Sequence, residues 1–230
     1  SAVVPHKRGS ALVEVATKLD PGSESFVELD TWVHKSKLNA RFAATFYLFK
    51  RVDPEFRNRI ISFWSGDPLN ASEVKKCLKE YGESATYKIE ATNKRELALQ
   101  HFQFTPRLIT AAGYYGWILL VDEIELIGRY SPLQRAKSYA ELARWSGKLS
   151  GQQFPGLATV LAIMSNFESE ILEEKNDLDE IPRRLTDKGY DELAKHAKRG
   201  MQVIQKERVR LKPPDRNAIG HTRDKVRAIY

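Results

Sequence analysis

The spacing of apolar positions changes several times along the chain, and each change predicts an element. Leu12, Val15, Ala16 and Leu19 fall on one helical stripe with Ser10 placed to cap it, although β-branched Val13 and Val15 leave a strand open. Asp20-Pro21-Gly22-Ser23 breaks the chain, and Ser25-Phe26-Val27-Glu28-Leu29-Asp30 reads as a strand. Residues 38–50 predict a strongly apolar helix with Phe42, Phe46 and Phe49 on one face. Pro54 opens a helix over 54–64 that stops at Trp64, before Ser65-Gly66-Asp67-Pro68. A short helix runs from Asn70-Ala71-Ser72-Glu73 to about Glu80, and polar residues 83–93 predict a loop. Two further helices are expected over 94–101 and from Thr105-Pro106 to Ala112, so residues 53–112 look like a helical insertion between two strands.

At Trp117 the period changes. Trp117-Ile118-Leu119-Leu120-Val121 is an uninterrupted apolar run, opened by Gly116 and closed by Asp122-Glu123. Such a run predicts a strand buried on both faces of a parallel sheet. Ionised carboxylates are costly to bury, so the two acids should lie just past its carboxyl end. A second apolar run at 157–164 ends in Ser165-Asn166. Between the runs, Ser131-Pro132 opens a helix that ends near Trp145. Short helical segments follow Glu168. A break falls at Asp179–Arg184, a long helix spans Asp187 to Lys206, Arg208–Leu211 forms a short strand, and a last helix starts at Arg216 or Thr222. This alternation predicts an α/β fold, a parallel sheet flanked by helices in three layers. Residues 1–212 would form the core and residues 213–230 the start of a helical lid, cut off at Tyr230.

Bulk properties narrow the function classes only a little. At 230 residues the chain fits one large domain, or a core with a small appendage. A net charge of +7 and a pI near 9.4 permit a polyanionic partner such as DNA, but the charge is spread rather than clustered. A single cysteine, Cys77, excludes an internal disulfide and suits a reducing cytoplasm. No apolar stretch approaches the roughly 20 residues that span a membrane, and no signal-peptide pattern opens the chain. His34, His101, His196 and His221 show no metal-ligand spacing with Cys77, and no G-x-S-x-G elbow occurs.

The candidate chemistry gathers at strand ends. Ligands of open parallel sheets bind at the carboxyl edge. Adjacent acids after a buried strand form the Walker B pattern of P-loop NTPases, in which the Asp holds magnesium and the Glu orients the attacking water. An ordinary strand followed by a charged turn gives the same residues. About 40 residues on, Ser165 and Asn166 stand where a sensor of the γ-phosphate would stand, though Asn166 is equally suited to cap the next helix. The phosphate-loop motif G-x-x-x-x-G-K-[ST] is not found. In its topological place stand Lys7, Arg8, Gly9 and Ser10, two cations, one glycine and one hydroxyl at a possible helix N-terminus, or else a basic surface turn. Either the nucleotide site is degenerate or part of the phosphate loop lies outside this chain. Arg183 and Arg184, with Arg129, Arg135 and Arg144 as alternatives, are candidate fingers acting across a subunit interface, or solvated helix-face residues.

The stretch Gly113-Tyr114-Tyr115-Gly116-Trp117-Ile118-Leu119-Leu120-Val121-Asp122-Glu123-Ile124-Glu125, with the downstream helix Ser131–Tyr139, resembles the BREX-type ATP-binding proteins, a P-loop family tied to phage defence. Phe26–Asp30 is similar to the family's second strand, Ser165-Asn166 to its sensor strand, and Arg208–Tyr230 to the approach to its lid. The resemblance implies an AAA+-like ATPase core that takes magnesium and ATP, assembles into oligomers and works on DNA or DNA-bound partners. Asp122 would hold the magnesium ion, and Lys7, Arg8, Gly9, Ser10 and Ser165 would lie against the nucleotide. The chain departs from the family pattern at the phosphate loop, which leaves a non-catalytic scaffold of the same fold as the alternative.

Overall fold

The computed structural model describes residues 10–20, 22–151, 153–211 and 215–229. Its elements run α1 (Ser10–Thr17), α2 (Glu24–Lys35), α3 (Ala40–Leu48), α4 (Pro54–Trp64), α5 (Ala71–Glu80), α6 (Lys94–Ala111), β1 (Trp117–Val121), α7 (Pro132–Trp145), β2 (Leu157–Leu161), α8 (Asp177–Thr186), α9 (Asp191–Lys206) and α10 (Arg216–Ile229). A 3-10 turn spans Ile124–Arg129 and a π-helical turn spans Glu168–Glu173. The chain divides into two compact units, Ser1–Leu120 with Gln152–Val160, and Val121–Gly151 with Leu161–Tyr230.

The first unit is built on aromatic packing. The Phe42 ring lies 5.2 Å from Phe63 and 5.1 Å from Phe104, and all three are fully buried. Fully buried Trp64 donates from Nε1 to the Thr45 hydroxyl at 3.1 Å, and its carbonyl accepts from the Thr105 hydroxyl at 2.9 Å. These two bonds satisfy polar groups that would otherwise be costly in the core.

Two sequence expectations fail here. Residues 25–30 are helical, inside α2, and not a strand. Ser23 caps that helix by accepting from the Phe26 amide at 3.2 Å, and Phe26, Leu29 and Val33 carry a helical period into the core. The two helices expected over 94–112 are one, α6, with Pro106 inside it. An internal proline costs a helix about 3 kcal/mol. Burial of Phe104, Pro106 and Leu108 offsets that loss.

β1 and β2 form a two-stranded sheet. The Trp117 amide donates to Gly156 O at 2.7 Å and the Ala162 amide to Val121 O at 2.8 Å, so both strands advance together and the pairing is parallel. Gly116 and Gly156 permit this approach: a Cβ on Gly116 would sit 2.4 Å from Gly156 O. On one face the Trp117 ring stacks on Phe102 of α6 at 5.5 Å. On the other, Ile118 is 64% exposed, Leu120 74% and Val160 56%. The apolar run is therefore not buried on both faces as expected. Arg208–Leu211 is not a strand either: Val209 and Leu211 are exposed, and without a neighbouring ladder their alternation has nothing to pair with. The described protein is mostly helical with a small parallel sheet, consistent with the α/β class expected, and among the described residues that sheet has two strands.

The second unit packs α7, α8 and α9 around Tyr139, Leu142, Ile181, Leu185, Ala197 and Met201. Gly200 lets α9 lie against α7, since a Cβ there would fall 1.8 Å from Tyr139 O. Residues 179–184, expected as a break, lie within α8, where Ile181 and Leu185 form the buried stripe despite Pro182. α9 begins at Asp191, not at Asp187.

Candidate functional site

At the end of β1 the ladder gains a residue. In regular parallel pairing Glu123 would donate to Ala162 O; instead Ile124 does so, at 3.2 Å. Glu123 is the extra residue of this bulge and sits in the left-handed region, φ 58° and ψ 39°. Its amide donates to Asp122 Oδ1 at 2.8 Å. Buried Ile124 and Ile127 then draw the chain down into the 3-10 turn, and Gly128 packs against the Ile171 side chain. Both acids stay exposed at the carboxyl edge of the sheet.

The tip of β2 lies beside them in the same unit. Ser165 and Asn166 are exposed. The Asn166 carbonyl accepts from the Glu170 amide and the Ser169 hydroxyl, both at 3.0 Å, just ahead of the π-helical turn that Phe167 caps. Its side-chain amide donates to Glu170 Oε1 at 2.5 Å. Arg208 braces this tip, donating to Ser165 O at 3.2 Å and to Glu168 Oε2 at 3.0 Å. Asp122 and Glu123 directly follow β1, and Ser165 and Asn166 follow the end of β2 at Leu161, so all four come after the carboxyl ends of the paired strands. The pairing of Arg208 with Glu168 had no signal in the sequence, because 40 residues separate the two.

The arginine candidates separate clearly. Arg183 and Arg184 are exposed on α8 and both pair with Glu180, Arg184 Nε at 2.8 Å from Oε2. Arg184 first, and then Arg183, hold the Glu180 carboxyl below its ordinary value. Arg135 is not available as a finger. It is buried, donates to Asp177 through Nε at 2.7 Å and through its terminal nitrogen at 2.6 Å, and reaches Tyr130 O at 2.8 Å. Asp177 is 0% exposed and also accepts from the Tyr139 hydroxyl at 2.8 Å. Burial, then the Asp177 charge, pushes the Tyr139 hydroxyl well above its ordinary value. Arg144 lies 2.5 Å from Glu141 along its own helix, and Arg129 is exposed. Lys7, Arg8 and Gly9 lie outside the described residues, and Ser10 is the first residue of α1.

The donors at the sheet edge are oxygens. Among the described residues no group of three or more His, Cys, Asp and Glu is arranged to hold a metal ion. Two exposed carboxylates suit magnesium, which keeps several waters and takes one or two protein carboxylates together with substrate phosphates. Among the described residues no helix is long and apolar enough to cross a membrane.

Fold and edge together define a mostly helical protein whose small parallel sheet presents paired acids at its carboxyl end. The chain belongs to the family described as BREX system ATP-binding protein BrxC/D, whose family model matches residues 15–230. No curated protein and no solved structure matches the chain.

Proposed function

We propose that this chain belongs to an AAA+-like P-loop ATPase core that binds magnesium and ATP and couples them to action on DNA or a DNA-bound complex in cytoplasmic phage defence. The family description supports ATP and the BREX system. The observation that carries the catalytic reading is Glu123, a non-glycine residue in left-handed backbone, beside Asp122 at the carboxyl edge of a parallel strand. Strain of this kind collects at active sites.

On this reading residues 1–212 form the core and residues 213–230 open a lid. Asp122 would hold the magnesium ion, whose chemistry is to neutralise charge on the β- and γ-phosphate oxygens. Glu123 would orient the attacking water, and Asn166 would donate its amide to the γ-phosphate. Ser165 would line the nucleotide with Lys7, Arg8, Gly9 and Ser10. Arg183 or Arg184 would reach the site of a neighbouring copy in a homo-oligomer, leaving Glu180 to do so.

Calorimetric titration with magnesium-ATP tests this reading. Wild-type protein should bind, Asp122→Ala should lose binding by tenfold or more, and Glu123→Gln should bind but not hydrolyse. Absence of binding at millimolar nucleotide, with retained DNA binding, would instead identify a scaffold of the same family.

A further inference from the structure

We propose that Arg208 is a positioning residue that fixes the tip of β2 and so sets where Asn166 stands. The inference rests on the role given above to Asn166. Arg208 lies two residues past α9 and reaches back across 43 residues of sequence to Ser165 O. Its other terminal nitrogen meets Glu168 Oε2, and Gln205 of α9 donates to Glu168 Oε1 at 3.4 Å. The Arg208 side chain is only 14% exposed and that of Glu168 27%, so the pair is sheltered from the solvent that weakens surface ion pairs.

The contact set explains the residue type. Two acceptors of different kind, a backbone carbonyl and a carboxylate, are met by two nitrogens of one planar fork. A lysine ammonium is a single point charge on a flexible stem and would hold one of them well. The brace grips the Ser165 carbonyl oxygen, which belongs to the peptide group joining Ser165 to Asn166. It therefore holds the backbone of Asn166 while leaving its side chain free to turn. That freedom matters, because the Asn166 amide is held by Glu170 through one of its two N–H groups and must turn to aim a donor at a phosphate. Arg208 ties the backbone that carries this side chain to α9, whose Ala197, Met201 and Ile204 are buried in the core of the second unit.

The test uses the full chain with Arg208→Met, Arg208→Lys and Glu168→Gln. Amide hydrogen exchange over residues 163–168 reads the brace without any nucleotide. Magnesium-ATP titration and steady-state hydrolysis read its consequence. Exchange in that segment should quicken several-fold in Arg208→Met and Glu168→Gln, with melting temperature little changed. Nucleotide affinity should stay within about twofold while turnover falls by about 10- to 100-fold, as expected of a misplaced catalytic group. Arg208→Lys should recover part of both. Unchanged exchange at 163–168 in both Arg208→Met and Glu168→Gln overturns the brace. Faster exchange with unchanged turnover overturns the positioning role. Faster exchange in a protein whose wild type neither binds nor hydrolyses ATP leaves the brace standing and overturns both the proposed function and the positioning role derived from it.

Discussion

Glu123 bears backbone strain that its neighbours enforce. Left-handed backbone costs a non-glycine residue about 1 kcal/mol, and short polar residues such as Asn tolerate it best. Asn176, the other non-glycine residue at positive φ among those described, fits that preference, while Glu123 does not. Glu123→Gly should therefore raise unfolding stability by about 1 kcal/mol in urea titration while abolishing hydrolysis, the trade expected of a strained functional residue. His101 makes a second prediction at this scale. It lines a cavity of about 1180 Å³ in the first unit, and its ring nitrogens lie 2.8 Å from Leu97 O and 2.6 Å from Phe63 O. The two carbonyls favour the charged ring, but burial outweighs them and holds its pKa below the ordinary value. The unfolded chain binds a proton near pH 6.5 that the folded chain resists. Stability contributed by neutral His101 is thus complete above about pH 6.5 and is lost as pH falls from there towards the folded pKa, by up to ~1.4 kcal/mol per pH unit. Urea midpoints compared at several pH values in wild type and His101→Gln check it: the variant should lose that part of the slope. Neither residue's situation was legible in the sequence, since a backbone angle and a pair of distant carbonyls leave no local pattern.

At the scale of elements, the readings that held rest on local chemistry. Pro54 and Ser131-Pro132 open α4 and α7 where expected, because a proline at a helix start acts within one turn. The strand at 117–121 was legible from its continuous apolar run. The misread elements were decided at a distance. Residues 25–30, read as a strand from the sequence, became helix because their apolar stripe meets the core. Residues 179–184 became part of α8 for the same reason, with proline and charge alone arguing for a break. The start of α8 is fixed by buried Asp177, held by Arg135 and Tyr139 of α7. Replacing Asp177 with Asn leaves the Arg135 charge buried without its partner, which typically costs 3–5 kcal/mol. Chemical denaturation followed by circular dichroism should show that loss, and a change below about 1 kcal/mol would count against the clasp.

At the scale of the whole molecule, the chain carries a net charge of +7 without a basic tract. If the chain acts on DNA, phosphate contacts must make the binding salt-dependent. Affinity for a duplex, measured by fluorescence anisotropy, should fall roughly tenfold between 50 and 200 mM salt for every two phosphates contacted. A flat response would remove DNA as a direct partner. By itself the sequence determined the helices with strong caps, the two apolar strands and the acids that end the first of them, because these depend on neighbours within a few residues. It also carried the family resemblance, through the stretch around Asp122 and Glu123. Only the tertiary structure decided that residues 25–30 are helix, that the sheet has one exposed apolar face, that Arg135 is buried, and that Arg208 braces the tip of β2. Those outcomes turn on pairing and burial between residues far apart in the chain, whose free energy no local window contains.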